Sequence, residues 1–179
     1  VKKIFAIFII IVILAIIYFA LTKQRSENFS FKNMKISSPN FSNNEFIPVD
    51  FTCDGKDINP EIHIDEVPEN ALSLVLIVDD PDAPMGVWTH WTMWNIPPQT
   101  KIIKQGSLPE GAVEGITSFG KTGWGGPCPP QGKPHRYFFK IFALDKKLDL
   151  SSSASCNDLE KAMEGHILDK AEFFGLYQR

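Results

Sequence analysis

All 13 prolines of this 179-residue chain fall between Pro39 and Pro134. They cut that stretch into short apolar runs instead of helical repeats. Proline fixes φ and has no N–H to donate, so it marks strand ends and turns and breaks helices. This punctuation is that of an all-β domain. Residues 32–36 and 46–51 read as early strands. Residues 72–78 (Leu-Ser-Leu-Val-Leu-Ile-Val) form a strong strand, rich in branched side chains and buried on at least one face. Residues 91–96, closed by Pro97-Pro98, and residues 137–144 are two more. Residues 173–177 return as a last short strand. The expected architecture is a mainly antiparallel β-sandwich with one or two peripheral helices.

One segment has helical spacing. Leu159, Ala162, Met163 and Ile167 recur on one face, and Ser155 with Asp158, or Asn157 with Glu160, supplies a capping box at its start. Gly165 interrupts the pattern, so the helix bends or ends there.

The first residues are different in kind. Residues 4–21 run without charge, Gly or Pro behind Lys2 and Lys3. As a helix they would span roughly 27 Å, close to the hydrocarbon thickness of a bilayer. A cleavable signal peptide has the same basic-then-apolar pattern, but Tyr18-Phe19-Ala20 places a bulky residue where cleavage wants a small one. The expected division is a transmembrane anchor (or signal peptide) over 1–22, a polar tether over 23–30 and a folded domain over 31–179. Lysines and arginines flank the apolar run on both sides, so the positive-inside count does not decide orientation. A very short amino-terminal tail favours a single-pass signal anchor with the domain extracytoplasmic; secretion after cleavage is the alternative.

A net charge of −3, with no Lys/Arg run beyond the first residues, argues against a nucleic-acid surface. The three cysteines, Cys53, Cys128 and Cys156, contain no Cys-x-x-Cys pair, so a zinc cage is not expected. They read as three small buried thiols, or, in an exported domain, as a Cys53–Cys128 bridge bracing a loop plus one free thiol.

Chemistry gathers in three places. The strand over 72–78 runs into Asp79-Asp80, then into the turn Asp80-Pro81-Asp82-Ala83-Pro84, and His90 opens the next strong strand. If those strands are antiparallel neighbours, Asp80, Asp82 and His90 reach one rim of a sheet. Taken alone, the Asp-Pro turn is more simply a well-made turn. The third place is the stretch from Gly120 to Pro134, dense in glycine and proline, which leads into His135. Glycine lets amides converge on an anion, and proline keeps such a loop in few conformations. It matches neither the phosphate loop of nucleotide hydrolases nor the dinucleotide glycine fingerprint.

Asp80-Pro-Asp-Ala-Pro84, Trp88-Thr-His-Trp91, and Gly126-Pro-Cys-Pro-Pro130 followed by His135-Arg-Tyr137 together resemble the phosphatidylethanolamine-binding protein family, more particularly its bacterial and archaeal, Raf-kinase-inhibitor-like branch. Thr52-Cys53-Asp54-Gly55, Asn59-Pro60 and the closing Gly175-Leu-Tyr-Gln-Arg179 fit that branch too, so the likeness runs from about Phe31 to the end. The resemblance implies a Greek-key β-fold with a small anion pocket at one edge of the main sheet. Carried over motif by motif, the pocket comprises Asp80, Asp82, His90, the backbone from Cys128 to Pro130, His135 and Tyr137, with Trp88 at its rim. Arg136 is expected to tie the loop down through an ion pair, with Asp80 as the candidate partner. The family holds phosphate-like and carboxylate-like groups, including phospholipid headgroups, and some members inhibit kinases or serine proteases. This chain departs in its apolar amino terminus, in Cys128, and in lacking the extra sequence by which eukaryotic members shape kinase contacts.

Physically, nearby aspartates favour protonated histidine, and imidazolium with loop amides would hold a phosphate while the carboxylates receive an ammonium. The expectation is therefore a binding module for an anionic small molecule or a phospholipid headgroup, with no cofactor and no nucleic acid. The alternatives are an inhibitor of a protease or kinase and a hydrolase using His90 oriented by Asp80 or Asp82. A metal site ranks below these, because the two histidines and two aspartates form no compact ligand motif. No catalytic residue set is complete: there is no Gly-x-Ser-x-Gly elbow.

Overall fold

The computed structural model of the chain describes residues 33–179; the expected anchor and tether lie outside them. Among the described residues no helix is long and apolar enough to cross a membrane.

The centre of the fold is β3, Ser73–Asp80, whose eight residues are all buried. It lies in a five-stranded antiparallel sheet, ordered β6-β4-β3-β7-β8, with β4 Trp88–Ile96, β6 Val113–Glu114, β7 His135–Leu144 and β8 Ile167–Tyr177. Leu74, Leu76 and Val78 face one way and join Met93, Phe139 and Ile141. They pack against Ile36, Ile62, Ile64 and Ile103 of a smaller sheet built from β1 Lys35–Ser37, β2 Ile62–Asp65 and β5 Ile102–Ile103. Val75 and Ile77 face the other way, under Leu159 and Met163 of the helix α1, Cys156–Met163. A strand covered on both faces has no polar face to show, which explains its unbroken apolar run. Each such side chain contributes roughly 1.5–3 kcal/mol through burial.

The large sheet follows a Greek-key order. β7, β3, β4 and β6 stand side by side as fourth, first, second and third, with the passage from β4 to β6 detouring through β5 in the other sheet. Among the described residues the mostly β sandwich with one α-helix agrees with the sequence reading, and two local expectations are corrected. Residues 46–51 do not form a strand: Phe46 makes a single bridge to Leu176, and Val49–Phe51 close a 3-10 turn behind Pro48. Proline has no N–H for a ladder and is at home before a helical turn. The helix does not reach Ile167, because Gly165 takes φ +76° and turns the chain into β8. Its start does follow the sequence, with Ser155 and Asp158 capping each other reciprocally.

His90 owes its position to an irregularity in the pairing of β3 with β4. Val78 pairs with Trp91 but Asp79 pairs with Thr89, so His90 is an extra residue bulged out of β4. Strict alternation would send His90 and Trp91 to opposite faces. The bulge allows both to serve the sandwich side, Trp91 in the core and His90 at its rim.

Candidate functional site: a cavity at the rim of the large sheet

Antiparallel pairing brings the end of β3 and the starts of β4 and β7 to one rim. A cavity of about 310 Å³ opens there, at the small end of ligand-sized pockets. Asp80, Trp88, His90, His135 and Tyr137 line it, together with Cys128 and Pro130 of the glycine-proline loop. Of the residues expected from the sequence, only Asp82 is not on its wall. Met85 and Phe119 are lining residues that sequence reasoning missed. Both sit in irregular segments without a periodic pattern, so nothing short of the fold could place them.

His90 is buried and fixed from several sides. Its Nδ1 lies 2.6 Å from the Gly125 carbonyl, which can only accept, so Nδ1 carries the proton. In return the Gly125 N–H donates to the His90 carbonyl at 3.0 Å. The ring stands edge-on to Tyr137 and Phe119, with centroids 5.1 and 5.3 Å away. Burial pushes the His90 pKa below its ordinary value, outweighing the Gly125 hydrogen bond and the pull of Asp80, Asp79 and Asp57. His90 is therefore neutral at pH 7, with a bare lone pair on Nε2. Of the two histidines expected as candidates for the imidazolium, His90 and His135, the first is disfavoured on that ground: desolvation wins over the neighbouring carboxylates.

Asp80 belongs to the other histidine. Its Oδ2 is 2.7 Å from His135 Nδ1, both groups being buried, and its Oδ1 accepts the Asp82 N–H at 2.8 Å. The hydrolytic arrangement of His90 oriented by Asp80 or Asp82 is not formed. Asp82 is turned outward onto Arg136, receiving its Nε and Nη2 at 2.8 Å each and its backbone N–H at 3.0 Å. That two-pronged guanidinium contact holds the Asp82 carboxyl at about 2. Arg136 thus ties the turn down as expected, but through Asp82 and not Asp80. Asp79, one residue along β3, faces the helix side and pairs with Lys140 at 2.6 Å.

The glycine-proline loop forms one wall of the cavity through Cys128, Pro129 and Pro130. The Gly125 N–H is spent on His90, and the Gly126 N–H goes to Asp57 Oδ1 at 2.7 Å. Pro127, Pro129 and Pro130 have no N–H to offer. The amides of Gly125 and Gly126 are thus engaged within the protein, and Cys128 is the residue between these prolines that has an N–H. Gly126 is required for packing: a Cβ there would sit 2.5 Å from Asp57 Oδ1 and 2.6 Å from the Phe51 carbonyl. A Cys53–Cys128 disulfide, Cα–Cα 5.5 Å, pins the loop to the 3-10 turn region, and Cys53 N–H donates to the Pro127 carbonyl. This replaces the picture of three buried thiols; Cys156 alone is free.

Tyr137 supplies the remaining polar group. Its ring is buried and its hydroxyl has no hydrogen-bond partner. Burial pushes its pKa up, so it stays a neutral donor. Among the buried polar atoms without a protein partner, the Tyr137 hydroxyl belongs to a residue that lines the cavity. The cavity thus presents one hydroxyl donor, the His90 Nε2 lone pair and the second ring nitrogen of His135, between apolar walls where Trp88 packs edge-on against Phe119 at 5.5 Å. Among the described residues no group of three or more His, Cys, Asp or Glu is arranged to hold a metal ion.

Fold and cavity define a β-sandwich domain with a ligand-sized pocket at its rim. The chain belongs to the phosphatidylethanolamine-binding protein family, whose profile matches residues 37–178. A UPF0098 protein of Pyrococcus horikoshii is 52% identical over 154 residues, covering 82% of this chain and 77% of that one. A UPF0098 protein of Methanothermobacter thermautotrophicus is 48% identical, covering 82% and 99%. Among solved structures, a phosphatidylethanolamine-binding protein homolog of Chlamydia trachomatis superposes with a TM-score of 0.79 at 37% identity, covering 83% of this chain and 99% of that one. Escherichia coli YbcL, described as a member of the mammalian family, gives 0.78 at 31% identity, covering 82% and 99%.

Proposed function

We propose that this domain is a binding module that takes the phosphate or carboxylate of a small ligand, such as a phospholipid headgroup, into the cavity at His90 and Tyr137. The observation that carries this reading is the unpartnered Tyr137 hydroxyl on the cavity wall. A ligand oxygen accepts from that hydroxyl, and a protonated ligand oxygen donates to His90 Nε2. A phosphate monoester has a second pKa near 6, so it is mostly the dianion at pH 7, and its monoanion, which has such a proton to bring, gains share as pH falls; a phosphodiester or a carboxylate accepts from Tyr137 only. The membrane enters through residues 4–21, read as an anchor, and a disulfide agrees with a domain outside the cytoplasm.

The test is calorimetric titration of O-phosphoethanolamine, inorganic phosphate and acetate into the purified domain. Saturable one-to-one binding of at least one of them, weakened in Tyr137→Phe, supports the reading. No heat with any of them, or binding indifferent to Tyr137, removes it.

A second reading has its own observation. Met85, 86% exposed, stands on a turn stiffened by Pro81, Pro84 and the Asp82–Arg136 clamp. A stiff apolar tip is what an inhibitor offers to the cleft of a protease or kinase. Met85→Asp would abolish such inhibition; inhibition surviving in that variant would remove this reading. Hydrolysis is the least supported, because His90 lacks an orienting carboxylate and the Cys128 sulfur is tied up.

A further inference from the structure

Cys53 and Cys128 are both solvent-exposed, and exposed disulfides are the ones that exchange most readily. The two sulfurs are not equivalent. Arg179 Nη1 lies 3.6 Å from Cys128 Sγ, and the guanidinium is held there by an ion pair from its Nε to Asp54 Oδ2 at 3.2 Å. Tyr177 donates to the same carboxylate oxygen at 2.7 Å. In thiol–disulfide exchange one sulfur is attacked while the other leaves as a thiolate, and a cation beside the leaving sulfur favours its departure.

We propose that the Cys53–Cys128 bond is a thiol-exchange site on the cavity wall, opened by a dithiol reductant that attacks Cys53 and releases Cys128 toward Arg179. In the first step a thiolate of the reductant bonds to Cys53 Sγ. The S–S bond breaks, and its electron pair stays on Cys128, which forms its thiolate beside the guanidinium. In the second step the other thiolate of the reductant attacks its own sulfur in the mixed disulfide. The reductant leaves as a cyclic disulfide, oxidised by two electrons, and Cys53 is released; protons given up by the dithiol restore both thiols.

Opening the bond has a local consequence. The Gly125 bonds to His90, the Gly126 bond to Asp57 and the Cys53–Pro127 main-chain bond involve no sulfur. The loop therefore keeps its place as far as Pro127. What is freed is the segment from Cys128 to Pro130, which is cavity wall. This proposal does not depend on what the cavity binds.

The experiment follows reduction of the folded domain by dithiothreitol, with thiols trapped by iodoacetamide and counted by intact mass. Wild type is expected to be reduced with its circular dichroism unchanged. Arg179→Ala should be reduced about threefold more slowly and Arg179→Lys close to wild type. If Arg179 were only a brace, its loss would loosen the corner and speed reduction, so a faster Arg179→Ala overturns the proposal. Glutathione, a monothiol, should leave its adduct on Cys53 in peptide mapping; an adduct on Cys128 overturns the assignment. Amide hydrogen exchange should rise on reduction across the segment from Cys128 to Gln131 and stay fixed at Trp88 to Trp91. Unchanged exchange in the first segment, or reduction seen only on unfolding, rejects the site.

Discussion

His90 and Gly125 hold each other twice: the imidazole Nδ1–H donates to the Gly125 carbonyl, and the Gly125 N–H donates to the His90 carbonyl. This exchange fixes the His90 tautomer, which is set by whichever partner one ring nitrogen takes. It also binds β4 to the wall loop without any charge. The remaining ring nitrogen, Nε2, is thereby reserved for whatever occupies the cavity.

Tyr137 separates ligand binding from stability. Its hydroxyl is buried without a partner, so Tyr137→Phe removes an unmet donor and should leave thermal stability unchanged or slightly raised. A hydrogen bond to a charged ligand is worth about 1.5–3 kcal/mol, so phosphoethanolamine affinity should fall by about tenfold or more. Calorimetry and thermal melts on the same preparation check both halves. A marked loss of stability would mean that the hydroxyl has a structural partner.

His90 makes stability pH-dependent with a definite sign. In the unfolded chain it titrates near its ordinary 6.5, whereas burial depresses it in the fold. Below that pH the unfolded chain binds a proton that the fold resists. The contribution is whole above 6.5 and declines as pH falls toward the folded-state value. Urea midpoints of wild type should therefore drop more steeply than those of His90→Gln between about pH 7 and pH 5. Equal slopes would place the titration elsewhere.

Gly126→Ala tests the wall. The new Cβ meets the Phe51 carbonyl and the Thr52 Cα as well as Asp57, and backbone cannot step aside as a flexible side chain does. A loss of about 1–3 kcal/mol is expected. Chemical denaturation measures it, and a neutral substitution would show that the loop packs less closely than described.

Replacing both Cys53 and Cys128 by serine removes a cross-link spanning 75 residues. Chain-entropy reasoning assigns a loop of that length about 4.5 kcal/mol, of which such bonds typically deliver about 2–4 kcal/mol. The urea midpoint should fall accordingly with the native near-ultraviolet spectrum retained. A variant that loses that spectrum would show that the bond holds more than one loop.

Three of the long strands are legible in the sequence because their composition is extreme, whereas of β8, Ile167–Tyr177, only residues 173–177 are read as strand. β3, β4 and β7 are apolar, branched or aromatic and bounded on one side by Asp-Pro, Pro-Pro and Lys-Pro respectively. Strands β2, β5 and β6, two to four residues each, are too short to carry a period. Most of the cavity is legible as well, since motifs around Asp80, His90 and His135 sit at strand ends that antiparallel pairing must gather. Which carboxylate serves which histidine is not. Asp80 and Asp82 are two residues apart in one turn, and only the turn's geometry sends one to His135 and the other to Arg136. The charge of His90 is hidden for a related reason: sequence shows nearby aspartates but not the aromatic packing that removes water from the ring.

Imidazole nitrogen spectra of histidine-labelled domain, taken before and after saturating O-phosphoethanolamine, test the site most directly. The expected free state is neutral His90 with the proton on Nδ1 and a bare Nε2. Ligand should shift Nε2 to the hydrogen-bonded or protonated position and leave Nδ1 unmoved. A His90 already doubly protonated at neutral pH, or an Nε2 signal that ignores the ligand, would contradict the account.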